Sequence, residues 1–502
     1  MKNLTTTGYC FVLLLVFPTM LTAQRNNIWC FGDSAGLDFN SGVPVPFPTS
    51  LDTRGTCVSI ADITGNLLFY GNTRAATAGF TGLIWNRNHQ LMIEGDSIAG
   101  SGWYHEMVII PDPGNDSLYY VFSIGVTNSY GLLYSVIDMR EDNTLGTVVQ
   151  KNVPLLSNMR MVDCLTAVKH GNGRDWWVIA KLSTFHLQTS NNTWFTFLIS
   201  PSGISPVITQ NVGSLNPTNL GRLSYNSDND KICFINSISL IELYDFDRCT
   251  GIIDNSINIE PSVSLLPYPW YWSCEFSSSG RYLYVSGSTT PSTLWQFDTW
   301  APNIDSTKTL IWQPSFPPYT AGALKRGPDN KIYMSCAWVD SSLSFNYPYD
   351  SSEYNNYNMN LSVINSPDSA GLACDFQPWS FYLGGKRTYW GLPNNPDYDL
   401  GPLDGSACDT LVGVSIINDK NEFEIKIFPN PANNNIKVEV IATDDKIIMV
   451  KLYSSLGNLI ATKSCNTNLF ELDVHTYIEG LYKLRAFTKN GFSDTKTFSI
   501  IR

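Results

Sequence analysis

Cys274-Glu275-Phe276-Ser277-Ser278-Ser279-Gly280-Arg281-Tyr282-Leu283-Tyr284-Val285-Ser286 sets the plan of the whole chain. A short stretch ends at Phe276, a serine-rich turn carrying Gly280 follows, and an aromatic, β-branched run starts at Tyr282. Glycine accepts the backbone conformations of tight reversals, and aromatic and β-branched side chains suit a pleated, packed surface. The stretch predicts two antiparallel strands joined by a tight turn.

The same order of polar turn and apolar strand recurs on both sides. Asp62-Ile63-Thr64-Gly65-Asn66 leads into Leu67-Leu68-Phe69-Tyr70, and Pro111 to Ser117 into Leu118-Tyr119-Tyr120-Val121-Phe122. His170 to Asp175 precedes Trp176-Trp177-Val178-Ile179, and Asn226 to Lys231 precedes Ile232-Cys233-Phe234-Ile235. Gly327 to Lys331 leads into Ile332-Tyr333-Met334-Ser335, and a weaker copy places Gln377-Pro378-Trp379-Ser380 before Phe381-Tyr382-Leu383. Strand starts at 67, 118, 176, 232, 283, 332 and 381 are 51, 58, 56, 51, 49 and 49 residues apart.

A period of this size fits a four-stranded blade with generous loops. Stacked immunoglobulin-like domains need roughly 90–100 residues each. The last copy lacks room for four strands, so Asn27 to Phe39 is expected to complete its blade and close the ring. The expectation is an all-β chain whose body, residues 24–392, is a seven-bladed β-propeller. From roughly Cys57 to Gly391 this pattern resembles WD40-like propellers of bacterial surface proteins. Asp245-Phe246-Asp247-Arg248-Cys249-Thr250-Gly251 and the 274–286 run are similar to blades of Bacteroidetes proteins that end in sorting domains. No Trp-Asp strand end is present, and the resemblance implies no shared activity.

The C-terminal residues 421–502 carry a different pattern. Pro429-Asn430-Pro431 follows a strand from Glu424 to Phe428, and Ile436 to Ile441 alternates apolar and polar residues as a half-buried strand does. Val450 to Tyr453, the Leu456-Gly457-Asn458 turn, Glu479-Gly480-Leu481-Tyr482 and a terminal strand from Lys496 complete it. This segment resembles the type A sorting domain of the Bacteroidetes type IX secretion system. The resemblance implies a small Ig-like β-sandwich, with Pro429, Asn430, Pro431, Gly457, Gly480 and Tyr482 as recognition and folding elements. It further implies the secretion machinery as partner, then removal of the domain or anchoring of the body on surface lipopolysaccharide. Residues 393–420, rich in Pro, Asn, Asp and Gly, read as a linker.

The other end agrees. Lys2, the apolar run from Tyr9 to Phe17 and Leu21-Thr22-Ala23 before Gln24 form a signal-peptide pattern over residues 1–23. That run is too short to span a bilayer, so no transmembrane anchor is expected in the mature chain. The expected destination is the medium or the outer-membrane cell surface. Net charge is -12; residues 24–420 hold 21 basic and 35 acidic residues, which disfavours nucleic acid as a partner.

Ten cysteines follow residue 23 without a CxxC pair, which gives no zinc or redox motif. Export favours disulfides, with Cys374–Cys408 the expected pair and Cys233 and Cys336 buried in strands.

Catalytic patterns are sparse. His89, His105, His170, His186 and His475 lie in no metal-binding spacing, and His105 and Glu106, as strand neighbours, point to opposite faces. No GxSxG elbow occurs, and Asp228-Asn229-Asp230 reads as a hairpin turn rather than a calcium loop. Asp62, Asp163, Glu275 and Asp375 are the carboxylates that could line a central channel. Aromatic residues point to recognition: Trp270 and Trp272, and Tyr349, Tyr354 and Tyr357 in an insertion from Ser341 to Asn360. The leading expectation is an exported propeller that binds a protein or glycan, with no cofactor and no metal. The alternative is a secreted hydrolase of a glycan or lactone that uses channel carboxylates, with or without a divalent metal.

Overall fold

The computed structural model describes residues 24–74, 80–263, 270–288, 291–317, 320–338, 354–403, 405–409, 425–440, 446–454, 459–488 and 493–502. The reading of residues 1–23 as a signal peptide lies outside them. The chain is all-β and divides into two compact units, residues 1–412 and 413–502.

Among the described residues of the first unit, seven antiparallel sheets follow one another, over 28–52, 57–86, 107–156, 160–216, 221–260, 271–312 and 324–382. The opening stretch forms the first hairpin of the sixth, Tyr271–Phe276 with Tyr282–Ser288. Ser277 donates its backbone N–H to the Tyr282 carbonyl at 2.8 Å, and Ser277 Oγ accepts the Tyr282 N–H at 3.1 Å. Gly280 sits there at φ +73°, where a β-carbon would be strained. Equivalent backbone bonds close the turns Asn226 to Lys231 (3.2 Å), Gly327 to Lys331 (2.8 Å) and Asp62 to Asn66 (2.8 Å). Short polar side chains recur at these turns because they satisfy backbone groups that the strands leave behind.

Each sheet buries its faces against its neighbours. Ile60 and Phe69 share a core with Val108, Val121 and Trp176, and Trp177 and Trp194 pack with Phe234 and Tyr244. Cys233 and Ile235 meet Phe276 and Val285, and Tyr284 and Leu294 meet Leu324 and Ile332. The seventh sheet then meets the first: Trp29 and Phe31 lie in one core with Tyr333 and Leu361. The array is a closed β-propeller, a ring without a free end sheet.

The ends of the repeat differ from expectation. Asn27 to Phe39 does not complete the last blade; Ile28–Phe31, Asp33–Asp38 and Val45–Asp52 make a sheet of their own. The weak copy at 377–383 is the fourth strand of the seventh sheet, Phe376–Tyr382, rather than the core of another repeat. The long connection between Ile332–Met334 and Asn360–Ile364 delays that strand by nearly one period, which mimics a repeat.

The second unit is an Ig-like sandwich. Ile425–Phe428, Asn435–Val440 and Leu469–Asp473 form one sheet. Ile447–Ser454, Leu459–Thr467, Gly480–Thr488 and Ser493–Ile500 form the other. Ile436, Val438, Val450, Leu452, Leu484 and Phe498 fill the space between. These are the apolar positions of the alternating strands, so the period of two places the core directly.

Candidate functional site

Two cavities lie at opposite ends of the first strands of the fifth and sixth sheets. Gly221–Tyr225 and Tyr271–Phe276 both begin at a small aromatic crevice and end at a larger cavity of about 600 Å³. Residues 387–399 lie among these strands. The stretch that composition marks as a linker is therefore, over 393–399, part of the propeller. Asn394 Nδ2 donates to the carbonyls of Met107 (2.9 Å) and Leu165 (2.8 Å), and its N–H to the Cys57 carbonyl (2.8 Å). Asn395 Oδ1 accepts the Ser59 N–H at 3.0 Å, and the Tyr398 hydroxyl donates to the Ile109 carbonyl at 3.1 Å. Asparagine carries both donor and acceptor, which lets one side chain satisfy inner-strand groups that have no next strand to pair with.

At the cavity end, Arg222 Nη1 donates to Asn394 Oδ1 (3.0 Å) and Lys325 Nζ to the Asn395 carbonyl (2.6 Å). Both cations line the cavity with Glu275, whose Oε1 accepts the Ser224 hydroxyl at 3.0 Å. Burial pushes the Lys325 ammonium down to about 8, against the attraction of Glu275. Neither Arg222 nor Lys325 forms an ion pair among the described residues.

At the other end, the Trp272 ring lies between Tyr104 (centroids 4.5 Å apart) and Trp390 (4.4 Å), and its Nε1 donates to the Trp390 carbonyl at 3.1 Å. Trp103 and Tyr389 extend the cluster, and the Arg54 guanidinium sits over Tyr104. Trp270 is 39% exposed beside it.

The four candidate carboxylates do not converge. Glu275 lines the cavity, whereas buried Asp163 accepts the N–H groups of Tyr104 and His105 near the aromatic end. Its carboxyl is raised to about 8, first by burial and then by Glu106. Asp62 caps its own turn through Thr64 and Asn66, and Asp375 follows a short 3-10 turn at positive φ. Glu106 accepts the N–H groups of Ser101, Gly102 and Trp103 rather than pairing with His105. No group of three His, Cys, Asp or Glu is placed to hold a metal ion among the described residues.

Two tyrosines of the insertion, Tyr354 and Tyr357, make contacts within the fold. Tyr354 donates to Asp33 Oδ2 (3.0 Å) while its ring covers the Arg387 guanidinium, which pairs with that carboxylate at 2.8 Å. Tyr357 packs edge-on against Trp379, and Tyr349 lies outside the described residues. Trp272 packs between Tyr104 and Trp390. Cys408 bonds to Cys249, not to Cys374, with Cα atoms 5.4 Å apart across 159 positions. Cys374 is a free buried thiol, as are Cys233 and Cys336. The pairing follows from Leu403, whose N–H donates to the Gly171 carbonyl and brings the tail to the fourth and fifth sheets. Arg222, Lys325, Asn394 and Asn395 escape sequence reasoning; the available signal was a cation inside the first strand of two copies.

In the sorting segment, Asn430 Oδ1 accepts the Ser499 N–H at 3.0 Å and its Nδ2 donates to the Thr497 carbonyl at 3.3 Å. Pro429 and Pro431 flank it, Gly480 opens its strand at φ +152°, and the Tyr482 hydroxyl donates to the Ile478 carbonyl at 2.6 Å. Gly457 lies outside the described residues.

No curated protein matches the chain. A candidate 6-phosphogluconolactonase of Bacteroides fragilis is similar in structure, with TM-score 0.45 and 11% identity over 75% of this chain and 99% of that one. The periplasmic gluconolactonase of Pseudomonas aeruginosa gives 0.43 and 11%, over 73% and 98%. A β-propeller domain from Myceliophteria thermophila gives 0.33 and 9%, over 62% and 94%. No helix among the described residues is long and apolar enough to cross a membrane. Residues 426–501 match the model of the secretion system C-terminal sorting domain. The tail is thereby identified as a type IX secretion C-terminal sorting domain, and the chain as a protein sorted for secretion.

Proposed function

We propose that the exported propeller is a binding module that engages a glycan or protein surface at the aromatic end of its channel. The observation that carries this reading is the cluster of Tyr104, Trp272 and Trp390, packed edge-on and tilted, with Trp270 exposed at its side. Flat rings present stacking faces for sugars and rigid anchors for protein contacts at small entropic cost. The Arg54 guanidinium over Tyr104 adds a donor at the rim. Trp270 and Trp272 are the ligand-binding residues of this proposal, while Tyr354 ties the seventh sheet's connection to Asp33 of the first sheet. The scattered carboxylates weigh against the alternative of a channel hydrolase. After translocation the body is released or held on surface lipopolysaccharide.

The test is a glycan array and a cell-surface binding assay with wild-type chain, Trp270→Ala and Trp272→Ala. Loss of binding in Trp270→Ala, with an unchanged circular dichroism spectrum, supports the reading. Full binding by both variants overturns it.

A further inference from the structure

The cavity at the opposite end is a second candidate site, independent of the aromatic one. Arg222 is 6% exposed, and among the described residues its side chain makes one hydrogen bond, from Nη1 to Asn394. Its Nε is buried without a partner. A guanidinium carries five N–H donors and loses its hydration when buried, so proteins almost always match it with a carboxylate or several carbonyls. Here that match is missing. Lys325, on the inner strand two sheets further round the ring, spends one donor on the Asn395 carbonyl and forms no ion pair.

The two cations hold neighbouring residues of one dipeptide, Asn394-Asn395, and face the same cavity. Glu275 and Asp397 act on Lys325 through charge, but neither comes within ion-pairing distance. Glu275 also offers an Oε2 with no hydrogen-bond partner among the described residues, beside the occupied Oε1. The arrangement joins unmatched donors to one free acceptor in a volume that suits a small molecule.

We propose that this cavity binds a small hydroxylated molecule bearing a carboxylate or phosphate. Its oxyanion sits against Arg222 and Lys325, and one of its hydroxyls donates to Glu275. The oxyanion supplies the acceptor that the buried guanidinium lacks, and charge-assisted bonds of this type are the strong ones.

The test is calorimetric titration of the full chain with two probes, inorganic phosphate and glucuronate, each against potassium chloride at equal ionic strength. Saturable binding of at least one probe is expected, and which one binds tells phosphate from carboxylate. Arg222→Gln and Lys325→Gln are each expected to weaken it about tenfold or more, while Lys325→Arg retains most of it. Should Arg222→Gln fail to fold, the wild-type and Lys325 measurements decide alone. Absence of saturable binding by both probes, reproduction of the signal by chloride, or wild-type affinity in Lys325→Gln overturns the proposal.

Discussion

Arg222 donates to Asn394 across 172 positions of sequence, joining the inner strand of the fifth sheet to a segment that follows the seventh. Through Asn394 and Asn395 that segment also reaches Cys57, Ser59, Met107, Leu165 and Lys325. The inner edge of a propeller strand has no further strand to pair with, so its carbonyls need another donor. The asparagine pair is that donor, and the ring is cross-braced at its axis.

Asn394→Ala is therefore expected to destabilise the propeller by roughly 3 kcal/mol or more, because it leaves buried carbonyls and a guanidinium unmatched at once. Urea unfolding of the wild type and variant measures this. A loss under about 1 kcal/mol would remove the bracing role.

The Cys249–Cys408 bond fixes the same tail further along. Closing a loop of 159 residues is worth up to about 5 kcal/mol by chain entropy. Cys249→Ser is expected to lower the unfolding midpoint, and Cys374→Ser to leave the cross-link intact. Peptide mapping without reductant checks the pairing: a Cys374–Cys408 peptide would contradict it.

How far the sequence reaches can be seen at particular residues. Turn chemistry at Asp62, Asn226 and Ser277 is local, and those hairpins stand where the repeat places them. The alternation in Ile436 to Val440 likewise fixes one face of the sandwich. The axial segment was not legible, because Pro393-Asn394-Asn395-Pro396 has the composition of a linker and its partners are strand carbonyls scattered over several sheets. The site was less legible still. Arg222 and Lys325 look like surface cations in a strand until closure of the ring turns them inward. The aromatic run at 267–272 was visible, but not that Trp272 would meet Tyr104 and Trp390.

Lys181 gives a pH prediction. Its side chain is fully buried, its Nζ has no hydrogen-bond partner among the described residues, and it lies 3.9 Å from the centroid of the Trp194 ring. Burial lowers it to about 8 from the ordinary 10.5. Between these values the unfolded chain binds more protons than the folded one, so stability rises with pH across that window. Below about pH 8 the full cost is present. Lys181→Met should thus be more stable than wild type at pH 7, by up to about 3 kcal/mol, with the gap closing towards pH 10.5. Thermal unfolding of both proteins from pH 7 to 10.5 tests this; a gap that stays constant or widens with pH refutes the assignment.

The sorting tail gives the last prediction. We expect the secretion machinery to read the sandwich in its folded form, in which Asn430 ties the Pro429–Pro431 turn to the final strand through Ser499 and Thr497. Two effects should then separate. Deleting residues 421–502 removes the address altogether, and the propeller should accumulate in the periplasm in folded form. Asn430→Ala loses three exposed hydrogen bonds, worth about 1 kcal/mol together in solvent, so the domain stays folded and export falls only a few-fold. Immunoblotting of periplasmic and external fractions measures both. Export of the truncated chain past the outer membrane would show that the body carries a second address. Complete loss of export in Asn430→Ala, with the domain still folded, would move Asn430 from a brace of the turn to a contact read by the machinery itself.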